Sequence, residues 1–187
     1  MPKISTKPKK QRIEFNQLIL NKDEYKIGDK VRVKEYNDDS CYARILKIWR
    51  NPSKPDAFAT ILWYFKPVDI FKQIPSFISV AELMESDLQQ DISVQCIYGK
   101  IEVVSFEEYH SKDEVESDFY FFTRSKFNSS SKVIRPPLSQ WKRSCVCDSI
   151  INPDHKYVTC DRCSRYYHVE CVKYTDKSLQ WYCENCS

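Results

Sequence analysis

Eight metal-binding side chains at the C-terminal end of the sequence constrain this chain more than anything else in it. They are Cys145, Cys147, Cys160, Cys163, His168, Cys171, Cys183 and Cys186, spaced C-x-C-x12-C-x2-C-x4-H-x2-C-x11-C-x2-C. Pairs one or two residues apart put two thiolates on one tight loop, where both reach a single ion at about 2.3 Å. Eight ligands make two closed tetrahedra. A closed site has no open position for water, so both ions are structural. The sequence shows no secretory signal, and seven of the nine cysteines fall between 145 and 186, so the pattern predicts metal ligation rather than disulfides. Residues 145–187 hold too few apolar side chains for a free-standing core, and metal must supply part of the folding energy.

The ligand order, four cysteines, one histidine and three further cysteines, with Trp181 two residues before Cys183, resembles the PHD finger. The resemblance implies cross-brace ligation of two zinc ions. Cys145, Cys147, His168 and Cys171 would hold the first, and Cys160, Cys163, Cys183 and Cys186 the second. The RING-variant ubiquitin ligases share the ligand order but usually begin C-x2-C and continue C-x-C, the reverse of this chain. A ubiquitin ligase component is therefore the lesser alternative.

PHD fingers bind histone H3 tails, and some box a trimethyl-lysine between aromatic rings, each cation–π contact being worth roughly 0.5–2 kcal/mol. Aligned on the ligands, Tyr157 and Tyr166 match two walls of such a box and Ile151 a third, aliphatic one; Ser144 stands where several members have tyrosine. Asp161 matches the acidic residue that pairs with arginine 2 of H3, a carboxylate being able to accept two parallel bonds from a guanidinium. Trp181 is assigned to the finger's core.

Upstream, the chain is mainly β. Lys30–Lys34 alternates with period two, and 42–49, 59–65, 101–106 and 119–123 are rich in strand formers. Residues 25–29 read as a turn, 79–86 as a helical turn, and Pro67 ends the third strand. Many short strands between turns predict a small barrel or sandwich. Three groups of residues carry a second resemblance, to the BAH domain: Tyr25-Lys26-Ile27-Gly28-Asp29-x-Val31, Ala43-Arg44-Ile45-x-x-Ile48-Trp49 and Trp63-Tyr64-Phe65-Lys66-Pro67. Glu82-Leu83-x-x-Ser86, Ile97-x-Gly99-Lys100 and Val103-x-Ser105-Phe106 follow in the same order. A BAH domain followed by a PHD finger resembles the short plant chromatin readers of the early-bolting-in-short-days and short-life type. That resemblance implies a BAH pocket for trimethyl-lysine 27 of H3, walled by Tyr42, Trp63 and Phe65, and a finger that reads methylated lysine 4, trimethyl favoured.

The expected organisation is a basic disordered tail at 1–14, a BAH domain at 15–127, a linker at 128–144 marked by Asn128-Ser129-Ser130-Ser131 and Pro136-Pro137, and the finger at 145–187. Five of the 29 basic residues lie in the first twelve positions, without an acid, so the body carries 24 against 26 acidic groups. A slightly acidic body suits a basic peptide ligand better than DNA. Lys7-Pro8-Lys9-Lys10 resembles a nuclear localisation patch, and the tail is a candidate for weak DNA contact. The expected partners are the H3 N-terminal tail and the nucleosome, in the nucleus.

Two glycines, Gly28 and Gly99, exclude a phosphate-cradling loop, and no apolar run is long enough to span a membrane. No nucleophile or acid–base constellation points to an enzyme or a small-molecule substrate; His110 and His155 have no cysteine or histidine at short spacing. Cys41 and Cys96 read as small buried hydrophobes. A scaffold reading also stands: a finger for unmodified H3, with a BAH domain that binds another protein.

Overall fold

The computed structural model describes residues 12–34, 40–112, 118–175 and 180–187. The N-terminal strands are β1 (Ile13–Phe15), β2 (Gln17–Leu20), β3 (Asp23–Lys26), β4 (Lys30–Lys34), β5 (Ser40–Arg50) and β6 (Ala57–Phe65). The helical turn α1 (Pro67–Ile70) follows. Then come β7 (Met84–Ser93), β8 (Ile97–Ser105), helix α2 (Phe106–His110), β9 (Tyr120–Thr123), β10 (Lys126–Asn128) and β11 (Val133–Arg135). The C-terminal part carries β12 (Arg143–Ser144), β13 (Ser149–Ile150), β14 (Tyr157–Thr159) and β15 (Tyr166–His168).

Strands β11-β10-β7-β6-β5-β4-β8-β9 form one sheet in that order, with β1 added to β5. Three antiparallel two-stranded sheets lie outside it: β2–β3, β12–β13 and β14–β15. The alternation seen in β4 buries Val31 and Val33 against Ala43, Ile45 and Ile61. Tyr25 is fully packed into this core, so β3 ends where a turn was expected to begin; Gly28, at φ 95°, makes the turn itself. Cys41 and Cys96 pack on the same core.

Three expectations are corrected. At the end of the tail expected over 1–14, Ile13 and Glu14 pair with Arg50 and Trp49, and the Arg12 guanidinium lies 3.7 Å from the Trp49 ring and 3.2 Å from Asp91. The charged residues before it, including the Lys7–Lys10 patch, lie outside the described residues. The helical turn expected at 79–86 is a loop that runs into β7. Ser79 and Val80 are held there by Asp154, a partner 74 to 75 residues away that no local pattern contains.

The segment 128–144, expected to be a linker, is built into the body. Its serines form a hairpin turn in which Ser131 donates to Asn128 through both backbone and hydroxyl. Trp141, 5% exposed, packs with Met84, Phe127 and Ile150. Its ring lies edge-on to Phe77 and 4.1 Å from the Arg124 guanidinium. Turn residues and prolines have the same composition in a tight hairpin as in a free linker.

Candidate functional site

Short turns aim the thiolates of the C-terminal module. Cys145, Asp148 and Ser164 adopt positive φ, and the Asp148, Ser164 and Cys186 N–H groups close turns onto Cys145, Cys160 and Cys183. Cys145, Cys147, His168 and Cys171 thereby bring their ligand atoms within 4.8 Å of one another, and so do Cys160, Cys163, Cys183 and Cys186. Cys147 Sγ and Cys171 Sγ lie 3.4 and 3.8 Å from His168 Nδ1, and Cys163 Sγ lies 3.8 Å from Cys183 Sγ. A tetrahedron with zinc–sulfur bonds of about 2.3 Å has edges of about 3.8 Å. The interleaved pairing expected from the sequence is present.

The chemistry of the donors fits zinc as well. Burial opposes ionisation of Cys160, yet the N–H groups of Cys183, Cys163 and Arg162 outweigh it and draw the thiol down to about 6. Burial, with hydrogen bonds from Cys183, Cys163 and Cys160, pushes Cys186 up to about 12. Four thiols this close ionise together only around a cation, and a closed sulfur–nitrogen tetrahedron suits zinc. His168 presents Nδ1 to its site while its Nε2 lies 3.4 Å from His155 Nδ1, so His155 orients a ligand. Spacing gave no signal for that role.

The expected peptide-reading residues do come together. Tyr157 on β14 and Tyr166 on β15 have ring centroids 6.3 Å apart at 75°, and Ile151 packs in the same cluster. The Tyr157 hydroxyl accepts a bond from Asn152 N–H, which fixes the ring. Val158 lies opposite Tyr167, and bonds on either side of it (Cys160 N–H to Arg165 O, Val169 N–H to Lys156 O) set the ladder. The N–H and C=O groups of Tyr157 and Thr159 therefore point to the outer edge of β14. Among the described residues no strand pairs with that edge.

Two features differ from expectation. Asp161 is exposed, but its Oδ2 accepts the Trp181 N–H at 2.6 Å, and its own N–H donates to the Trp181 carbonyl. It clasps the loop of the second metal site, with one oxygen engaged. Ile151 is 0% exposed, and with Tyr157 and Tyr166 it packs against Phe106, Tyr109 and Phe122 of the large sheet's domain. The aromatic face of the finger is thus turned toward the neighbouring domain.

That junction is extensively bonded. Arg124 donates to the Ile151 carbonyl at 2.7 Å and the Phe77 carbonyl at 2.9 Å. Asp154 accepts from Ser79 Oγ and Val80 N–H, and Asn152 Nδ2 donates to the Ser76 carbonyl. Ser76 and Phe77 also line a cleft of about 700 Å³ beside the first metal site, with Asp154, His168 and Cys171.

The three-ring pocket expected from Tyr42, Trp63 and Phe65 is not assembled. Tyr42 pairs directly with Tyr64 and so lies on the face opposite Trp63, whose cross-strand partner is Ala43. Tyr42 packs with Leu83 and Val103, and Phe65 meets Phe127 edge-on at 5.6 Å. Cross-strand register thus puts Cys41, not Tyr42, on the Trp63 face. Trp63 is 8% exposed, donates Nε1 to Gln90 Oε1 at 3.0 Å, and lines a cleft of about 730 Å³ with Val33, Ile92, Gln95 and Cys96.

Comparison with known proteins agrees with the two-part architecture. Residues 23–138 match the BAH domain and 145–186 the PHD-finger. The chain is 31% identical to the Chromatin remodeling protein SHL of Arabidopsis thaliana over 193 residues, covering 100% of this chain and 82% of that protein. It is 27% identical to the Chromatin remodeling protein EBS of the same plant, over 67% of this chain and 54% of that one. Among solved structures, the yeast Rsc2 BAH domain superposes with a TM-score of 0.53 at 22% identity, over 65% of this chain and 52% of that chain, a likeness of fold.

Proposed function

We propose, from the premise that this chain belongs to the BAH–PHD family of chromatin proteins, that it is a nuclear reader whose finger binds the N-terminal tail of histone H3. The observation that carries this is the hairpin β14–β15, pinned between two metal sites, with an outer edge that no strand among the described residues occupies. An extended peptide added to β14 gains main-chain hydrogen bonds at Tyr157 and Thr159, and its side chains enter neighbouring pockets. Tyr157 and Tyr166 lie side by side where a methylated lysine 4 would be read. The surplus of acids over bases in the body favours a basic tail. The role is recognition, without catalysis.

The preference for the trimethylated form, and the reading of trimethyl-lysine 27 by the BAH domain, rest on the family resemblance. Geometry supports the first more than the second, since the finger's two tyrosines converge and the BAH trio does not. Of that trio, Trp63 faces a cleft able to admit a side chain. The nucleosome is the setting in which the finger and BAH domain would act together.

Calorimetric titration of H3 N-terminal peptides with lysine 4 in each methylation state tests the reading. Binding of the trimethyl peptide that Tyr166→Ala weakens is expected. Failure of every H3 peptide to bind contradicts it.

A further inference from the structure

His110, the last residue of α2, sits against the two tyrosines of the finger. Its ring centroid is 4.6 Å from Tyr166 and 5.9 Å from Tyr157. A cation held by these rings would lie within about 6 Å of each centroid. The imidazole therefore stands in the space that a methylated ammonium would take. Its Nε2 is buried without a hydrogen-bond partner among the described residues, so no polar contact there accounts for its position. Ring contact holds it instead, including stacking on Phe106 at 5.5 Å.

The helix that delivers His110 is well anchored. Ser105 caps it by accepting the Glu108 N–H, and Phe106 is buried against Phe122 and beneath the Arg124 guanidinium. The same Arg124 holds the finger through the Ile151 carbonyl. One junction therefore fixes both the pocket and the side chain that fills it.

We propose that His110 is an intramolecular plug: the BAH domain closes the finger's lysine pocket, and methyl-lysine enters only when His110 withdraws from between Tyr157 and Tyr166. This rests on the finger being an H3 reader and adds a control to that site. The tail can still lie along β14 in the closed form, because that edge is on the finger itself. Insertion of the lysine side chain is what the plug limits. If the open form is about one molecule in ten, the apparent affinity for the methylated peptide is reduced about tenfold.

The test uses the full chain and its His110→Ala variant, with matched thermal unfolding and zinc content as controls. Titration with H3 peptide trimethylated at lysine 4 is expected to show the variant binding about tenfold tighter, with a peptide carrying alanine at that position unchanged. Equal or weaker binding by the variant overturns the plug. A second measurement needs no histone: nitration of Tyr166 by tetranitromethane is expected to be faster in the variant. Equal nitration rates overturn the plug whatever the peptides do. Absence of all H3 binding alongside faster nitration leaves the plug standing and refutes the histone reading instead.

Discussion

Arg124 grips Glu82 through two parallel hydrogen bonds, Nε to Oε1 at 3.0 Å and Nη2 to Oε2 at 2.8 Å, and with Nη1 it reaches the finger at the Ile151 carbonyl. Glu82 is 0% exposed, and its burial holds the carboxyl above its ordinary range despite the guanidinium beside it. Removing the cation would strand a buried acid. Arg124→Met, which keeps apolar bulk over Phe106 and Trp141, is expected to cost about 3–5 kcal/mol. The double variant Arg124→Met/Glu82→Met should recover much of that loss, because no buried charge then remains. Urea unfolding of parent, single and double variants measures both.

Metal is expected at two zinc ions per chain by elemental analysis. Cys160→Ala removes a ligand that is wholly buried in the second site and should unfold the finger, while the large sheet keeps its protected amides. Chelation should act likewise and should also loosen residues 76–80, whose bonds run to Asn152 and Asp154. Hydrogen exchange followed residue by residue checks both.

His110 gives the junction a pH dependence of defined sign. Burial, and then the charge of Lys142, hold its pKa below the ordinary 6.5. The folded chain therefore resists protonating His110 while the unfolded chain does not. This contribution to stability is complete above about pH 6.5 and is lost as pH falls through the lowered value. Metal ligands also release zinc in acid, so the test is a difference. The stability gap between the parent and His110→Phe should shift in favour of the variant between about pH 7 and pH 5.

Tyr42 and Trp63 should part company in any assay of the BAH domain. Trp63→Ala is expected to abolish binding of a peptide carrying trimethyl-lysine 27, if that cleft is its site. Tyr42→Ala should leave such binding unchanged, because Tyr42 lies on the other face, and should instead lower stability by about 3 kcal/mol through lost packing. Paired titration and thermal unfolding of the two variants separate face from face.

The eight ligands were legible from residue type and spacing, and their division into interleaved quartets, which the PHD resemblance implies, is the one the structure shows. Period-two alternation placed β4, and runs of strand formers placed most of β5 and β6. Strand β7 was hidden, since its Asp87–Asp91 stretch is exposed and mostly polar, and the side chains that Gln90 and Asp91 meet, Trp63, Thr60 and Arg12, lie far away in the chain. The trio Tyr42, Trp63 and Phe65 failed on register: Trp63 and Phe65 were set by within-strand alternation, but the face of Tyr42 depends on which β6 residue it opposes. The junction was also out of reach. Ser79–Asp154, Arg124–Ile151 and His110–Tyr166 join residues far apart in the chain, and no local pattern pairs one with the other.

Amide chemical-shift mapping with an H3 N-terminal peptide tests the histone reading most directly, because it reports where the tail lies as well as whether it binds. Shifts concentrated at Tyr157–Thr159 are expected, where the free edge of β14 takes on the new strand, with smaller changes at Tyr166–His168. A peptide that shifts nothing in the finger, or that perturbs the large sheet while β14 stays still, would contradict it.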